Sequence, residues 1–226
     1  MVLNNFRILS IDSNQTYDWL KNKHYAKRIP PIEFSFGLYD LKGIMQGCIT
    51  FATPVSNPLR NLWNNEFKLM ELNRLVVNEG LGKNVLSWFV SNSFKFLPKP
   101  LVIVSYADTS KNHTGYIYQA TNFIYTGLSA KRTDWKLKGF EHFHGATIAD
   151  MSRGQENRSQ YMREKFGDDF YLEDRSRKHR YFIFLGEKRD KKKMLKMLPY
   201  EIQDYPKGEN NRYDASYTPN TQGTLF

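Results

Sequence analysis

An α/β domain with a mixed central sheet flanked by helices is the fold class this chain predicts, and three observations predict it. Phe34-Ser35-Phe36-Gly37-Leu38-Tyr39 alternates, Asp40-Leu41-Lys42-Gly43 supplies a turn, and Ile44 to Phe51 returns, which is the pattern of an antiparallel hairpin. Lys68 to Val77 (KLMELNRLVV) reads as a further strand. A glycine-containing turn over 78–84 follows it, and then Val85, Leu86, Phe89, Val90, Phe94 and Leu97 recur at helical spacing. Leu101 to Val104 is a short β-branched run fenced by Pro98 and Pro100, the mark of a buried strand, and it completes a strand-helix-strand progression.

Length and charge narrow the function classes. A chain of 226 residues can bury a sizeable core unaided, and one catalytic domain over 1–204 with a polar tail over 205–226 is expected. Lys plus Arg number 33 against 23 Asp plus Glu, a formal charge of +10 with a pI near 9.5, which favours a polyanionic partner. Aromatic residues make up 15%, and because bases stack on aromatic faces the expectation turns towards nucleic acid rather than a merely soluble basic protein. The single cysteine, Cys48, permits neither a disulfide framework nor a cysteine metal cluster and suits a cytoplasmic protein. The start MVLNNFRILSID lacks a secretory pattern and no apolar run approaches the ~18 residues of a span, so neither signal peptide nor membrane segment is expected.

Along the chain, Phe6 to Ser10 suggests a first strand, and Asp12-Ser13-Asn14 offers a cap for a helix carrying Tyr17, Trp19 and Leu20 and ending near His24-Tyr25. Pro30 and Pro31 impose extended geometry on what precedes them, leaving His24, Tyr25, Lys27 and Arg28 in a loop that either contacts phosphate or is a solvated connection. Residues 52–66, rich in Pro and Asn, read as a long substrate-facing loop. Within the strand 68–77, Glu71 and Arg74 are charges in an apolar context and need partners; spaced three apart, they are expected on opposite faces, with Asn73 on the face of Glu71. Gly80, Gly82 and Lys83 lie between that strand and a helix N-terminus, where free amides and the helix dipole favour an anion. Neither a GKS/GKT motif nor a dinucleotide fingerprint is present, so a P-loop nucleotidase or a nicotinamide enzyme has little support.

The densest chemistry lies from Ser105 to Leu128. A hydroxyl (Ser105), a phenol (Tyr106) and a carboxylate (Asp108) close the strand, and Tyr116, Tyr118 and Tyr125 follow. Tyr116 and Tyr118 are two apart in a helix-like run and cannot share one face. The strings ELNRLVV (71–77), VSYADTSKNHTGYIYQATNFIYTGL (104–128), IADMSRG (148–154) and RSRKHRYFIF (175–184), together with HYAKRIP (24–30) and YPKGENNRYDAS (205–216), resemble the phage Mom family of DNA-modification proteins over nearly the whole chain.

That resemblance implies a GNAT-like acyltransferase fold, with 68–77 as the central strand, 78–84 receiving a donor's pyrophosphate and 101–106 splaying away beside it. It implies an enzyme that turns the exocyclic amine of adenine in DNA into a carbamoylmethyl derivative, shielding phage DNA from host restriction in the bacterial cytoplasm. The partner is double-stranded DNA with a flipped adenine, since the amine is inaccessible inside a stack. Asp108 is expected to accept from that amine, with Ser105 and Tyr106 in support, although an N-cap for the following helix is the plainer role for Asp108. Tyr118, with Tyr116 as alternate, would protonate the departing group, and Arg74 would hold a donor carboxylate or phosphate or pair with Asp108. The incomplete glycine signature leaves the donor open between an acyl-CoA and a glycyl derivative. Metal dependence, including iron, goes with the family; His142 and His144 in FEHFH are placed on one side of a strand, and no ligands are nominated.

Two basic runs remain. Arg175, Arg177, Lys178, His179 and Arg180 precede an apolar strand, Tyr181 to Leu185, and a basic helix follows over 188–196. In so cationic a chain they read as phosphate contacts, which add affinity without sequence choice; with Tyr25, Arg28 and Tyr116 they form the expected DNA-binding set. Asn122 and Gly127 are taken as turn residues, and the last ten residues as a loose tail. Other classes are a non-catalytic basic anti-restriction accessory and a GNAT acyltransferase for another amine.

Overall fold

The computed structural model describes residues 2–143 and 145–208. They form two compact units: the chain up to Gly127 together with that from His179 onward, and Leu128–Lys178.

The first unit carries a mixed seven-stranded sheet. Strands β1 (Phe6–Ser10), β2 (Phe34–Asp40), β3 (Met45–Ala52) and β4 (Lys68–Val77) form an antiparallel meander, and β4 then pairs in parallel with β5 (Leu101–Asp108). The order ends β5-β9-β6, with β6 at Ile124–Leu128 and β9 at Lys178–Leu185. The α/β class and its mixed sheet are as the sequence predicted. One face is covered by α2 (Val85–Ser93) and α3 (Tyr116–Ala120), whose Val85, Phe89, Val90 and Tyr118 pack on Phe36, Ile49, Met70, Leu72 and Ile103. The other face carries two separate apolar clusters. Trp63, Phe67 and Met194 of the basic helix α6 (Lys188–Lys196) cover Leu69, Val102 and Val104; Trp19 and Leu20 cover Cys48 and Val76. Between them lie the polar positions of β4.

Three expectations need correction here. The loop 52–66 includes a short helix, α1 (Asn57–Arg60), and a fully buried Trp63 whose Nε1–H donates to the Met194 carbonyl at 3.0 Å, so it is anchored to the core. Gly127 belongs to β6 rather than a turn: its φ of +76° and the Gln203 side chain 2.9 Å from any added Cβ show that the segment after Tyr200 is laid against it. Tyr205 is likewise anchored, its hydroxyl donating to the Phe123 carbonyl at 2.6 Å, whereas residues from 209 on fall outside the described residues.

The second unit was not foreseen. Strands β7 (Arg132–Leu137) and β8 (Phe170–Arg175) pair antiparallel, and helices α4 (Gly145–Asp150) and α5 (Arg158–Phe166) close a small core of Leu137, Ile148, Met162 and Phe170. β7 carries charges on alternate positions and β8 three in succession, Glu173 to Arg175, and the Arg175 guanidinium meets Asp134 at 2.8 Å. Glu141 to Phe143 is a turn and not a strand, with the Glu141 carboxylate accepting from the Gly139 amide at 3.0 Å. His142 is therefore not built on a strand, and His144 lies outside the described residues.

Candidate active site

β4 and β5 are paired only from Lys68–Leu101 to Glu71–Val104, and past that point the ladder stops. The Ser105 hydroxyl donates to the Leu72 carbonyl at 2.8 Å, closing the apex where the strands part. Ser105 is fully buried, so it braces the fork rather than meeting a base directly. Ser105 also contacts the Tyr118 phenol through a side-chain hydrogen bond, which by itself lowers the phenol's pKa. Burial, chiefly, pushes the Tyr118 phenol well above its ordinary range, with Tyr25, Glu71 and Tyr181 adding to the effect. Tyr118 is thus protonated at the fork, while Tyr116, two residues before it on α3, is 65% exposed.

A β-bulge changes the direction of β4. Thr50 pairs with Arg74 and Phe51 with Leu72, so Asn73 is the extra residue. Before it, Met70 and Leu72 face the helical layer; after it, Leu75 and Val77 do, and Val76 faces the opposite side. The bulge shifts the alternation by one, so Glu71 and Arg74 share a face, against the expectation from simple spacing. The Glu71 charge acts favourably on Arg74 there.

Around Arg74 the chain assembles groups that are distant in sequence. Trp19–Lys23 is a π-helical turn, closed by the His24 amide donating to the Trp19 carbonyl at 2.9 Å, and it delivers His24 into the interior. His24 Nδ1 accepts from the Ala26 amide at 3.1 Å, which places its proton on Nε2. Burial first, then the positive Arg74 and His113 push its pKa from 6.5 down to about 3, so it is neutral at physiological pH. The His24 ring stacks on Tyr25 at 4.4 Å, and Tyr25 meets His113 edge-on at 5.5 Å. Burial, and then the Asp108 charge, raise the Tyr25 phenol. Arg74 donates from an Nη to the Asn73 carbonyl at 2.6 Å, its Nε is buried without a hydrogen-bond partner, and burial lowers its pKa.

The structure therefore gathers Arg74, Tyr118, Ser105, Tyr25 and Asp108 and adds His24, Glu71 and His113. Arg28 acts on Arg74 as a like charge from an exposed position. Asp108 caps the turn Thr109–Lys111, accepting from the Ser110 amide at 3.0 Å and its hydroxyl at 2.8 Å, while its charge reaches Tyr25. Tyr106 is not brought in: it packs on the opposite side of β5 from Ser105, with Val102 and Val104. Gly80 (φ +75°) and Gly82 (φ +100°) shape the turn before α2, nothing lies within 4 Å of a Cβ added at Gly80, Lys83 is exposed, and the cap Asn84 makes no side-chain bond to the first helical amides. That end is open to a phosphate.

The basic run 175–180 is engaged internally from Arg177 on. Arg177 donates to the Ser129 and Leu128 carbonyls at 2.6 and 3.3 Å, and the Lys178 amide donates to the Ser129 hydroxyl at 2.9 Å. His179 Nδ1 meets the Tyr125 hydroxyl at 2.8 Å, and burial lowers its pKa. Arg180 donates to the hydroxyl and carbonyl of Thr126, both at 2.9 Å, under the Tyr200 ring at 3.4 Å. No group of three or more His, Cys, Asp or Glu that could hold a metal ion occurs among the described residues.

Comparison of the sequence with known proteins assigns the chain to a family. The model of the Mom protein family matches residues 5–207. The chain belongs to the Mom family. A Mom relative from Escherichia phage Mu, described as methylcarbamoylase mom, is 28% identical over 196 residues, which is 83% of this chain and 78% of that protein. Among solved structures, a spermidine/spermine N-acetyltransferase from Vibrio cholerae, in complex with manganese ions, overlays with a TM-score of 0.43 at 11% identity, covering 87% of this Mom-family chain and 99% of the other. A GNAT-family acetyltransferase from Bacillus cereus overlays with a TM-score of 0.40 at 10% identity, covering 80% and 99%. Of the residues without a site role in the sequence reading, His24 stands there only as a candidate phosphate contact in the loop with Tyr25, His113 lies within the family-like string 104–128 without being singled out, and the bulge at Asn73 has no signal short of the fold.

Proposed function

We propose that this chain is a DNA-modifying transferase that places a carbamoylmethyl group on the exocyclic amine of adenine, and that the modification protects the DNA from restriction. Membership of the Mom family and similarity to the phage Mu protein support the reading, and the observation that carries it is the buried, polar cluster at the fork of β4 and β5. The chemistry fits. His24 and Tyr118 are neutral proton donors at pH 7 and Arg74 is a buried cation, so this side of the cluster suits stabilising negative charge, while Asp108 supplies a carboxylate that can take a proton. As the bond from the adenine nitrogen to the donor carbon forms, the bond to the leaving group breaks. Tyr118 gives its proton to that group, and the proton shed by the amine goes to a carboxylate, for which Asp108 is the candidate.

The donor, an acyl-CoA or a glycyl derivative, would be held by Gly80, Gly82, Lys83 and the amides of α2 if it carries a pyrophosphate, and by Arg74 if it presents a carboxylate or carboxamide oxygen. No set of three or more His, Cys, Asp or Glu for an iron ion is assembled among the described residues, and no step is routed through one. DNA contacts are assigned to Tyr25, Arg28, Tyr116 and the exposed lysines of α6, with double-stranded DNA presenting a flipped adenine.

Mass spectrometry of nucleosides from plasmid DNA of cells expressing the chain tests this. A new deoxyadenosine adduct, absent with Tyr118→Phe, is the expected outcome. Unmodified adenine alongside folded protein and salt-sensitive DNA binding would move the reading to a non-catalytic anti-restriction protein; loss of DNA binding as well would point to another amine as acceptor.

A further inference from the structure

We propose that Asn73 and Thr50 are positioning residues that aim Arg74 into the site. The inference rests on the functional reading above for what Arg74 does, and on the bulge geometry for how it gets there. An unbulged β4 would carry Arg74 on the face of Met70 and Leu72, against the apolar layer of α2. The extra residue turns it to the face of Glu71, where its charge reaches His24 and Tyr25.

The bulge is held by side chains as well as by the sheet. The Thr50 hydroxyl, fully buried, donates to Asn73 Oδ1 at 2.5 Å. Asn73 Nδ2 donates to the Pro31 carbonyl at 2.9 Å. Pro31 follows the segment that carries His24, Tyr25 and Arg28, so a single amide side chain ties β3, β4 and that segment together. Asn73 also supplies its own carbonyl to an Nη of Arg74 at 2.6 Å. One residue thus fixes both the facing and one hydrogen bond of the guanidinium, leaving Nε buried and unsatisfied. A buried donor without a partner costs folding free energy, and its persistence in a place so thoroughly constrained points to a ligand oxygen as its complement. A slip of the bulge would turn Arg74 away from that ligand without touching any group that contacts it.

Thr50→Val is close to isosteric and removes only the donor to Asn73; Thr50→Ser restores it. Two readouts are followed in the full chain: the titration of the His24 ring by NMR, and the rate of DNA modification. Because the Arg74 charge is one cause of the low His24 pKa, Thr50→Val is expected to raise that pKa by roughly half a unit or more, within the range one displaced charge produces. Arg74→Gln marks the shift that complete loss of the charge gives. The modification kcat should fall about tenfold with KM for DNA little changed, a loss confined to the step where charge develops, and Thr50→Ser should recover both readouts. Should Thr50→Val fold poorly, Asn73→Ala, at a half-buried position, carries the same expectation. Unchanged His24 titration with unchanged kcat in a folded variant overturns the proposal. Absence of modification by the parent chain overturns the functional reading instead, and the His24 titration still decides whether the bulge positions Arg74.

Discussion

Two arginines of this molecule differ in how far the fold satisfies them. Arg180 has its Nε and an Nη on Thr126 and its plane against Tyr200, so its donors and its cationic face are matched by neighbours. Arg74 gives one Nη to a carbonyl and keeps a buried Nε without a partner. Both are partly buried and both lie in runs that drew attention by their charge. The difference is satisfaction. A cation whose Nε and Nη are both bonded within the fold reads as architecture, whereas one with a buried, unpartnered Nε that neighbours a neutral histidine and a raised tyrosine is the better candidate for holding a ligand.

The most severe way to break this contrast is Arg74→Ala. Modification should fall by about a hundredfold or more, in keeping with loss of a preorganised charge, while the melting temperature holds or rises because an unsatisfied buried group has been removed. A melting temperature that drops along with activity would reduce Arg74 to a structural role. Tyr118→Phe comes next. Loss of a general acid is expected to cost roughly 100-fold in turnover; Ser105 keeps its bond to Leu72, so circular dichroism and melting should change little. Rapid turnover by the phenylalanine variant would move the proton donor elsewhere.

The pH dependence of stability sharpens the comparison further. His24 titrates near 6.5 when unfolded and at about 3 when folded, so the folded state resists its protonation. The neutral ring's contribution is complete above pH 6.5 and is lost as pH falls from there towards 3, at on the order of 1 kcal/mol per pH unit. Denaturant melts at pH 7, 6 and 5 should show that loss, and His24→Gln should flatten it. A slope unaffected by the substitution would mean that His24 is not the group responsible.

How far this was legible in the sequence depended on the range of the interactions. The strands observed at 34–40, 45–52, 68–77 and 101–108 were legible within a residue or two because period-two patterning and proline boundaries are local; helix geometry allowed only one of Tyr116 and Tyr118 to face the site, and the family resemblance chose Tyr118. The facing of Arg74 was misread since a bulge adds one residue to the count, and the bonds that hold it run from Thr50 and Pro31, 23 and 42 residues away. Tyr106 was nominated by adjacency, yet strand alternation sends it to the opposite side from Ser105. The 128–178 unit was missed because its strands are charged and short, with a core of only a few residues, so neither periodicity nor hydropathy rises above the surroundings.

The gentlest test lies at the other arginine. Arg180→Gln removes a cation stacked on Tyr200 and leaves the Thr126 hydroxyl and carbonyl to a neutral amide of different reach. Hydrogen bonds to a charged donor and a well-placed cation–π contact together suggest a loss of about 1.5–3 kcal/mol in unfolding free energy. Activity per folded molecule should stay within about twofold at low salt, because the guanidinium is already held inside the protein through Nε, one Nη and its stacked face. If the substitution instead leaves stability intact and lowers the salt dependence of DNA binding by nearly one unit of slope, Arg180 is a phosphate contact after all. In that event, completeness of hydrogen bonding would cease to separate the structural arginine from the functional one.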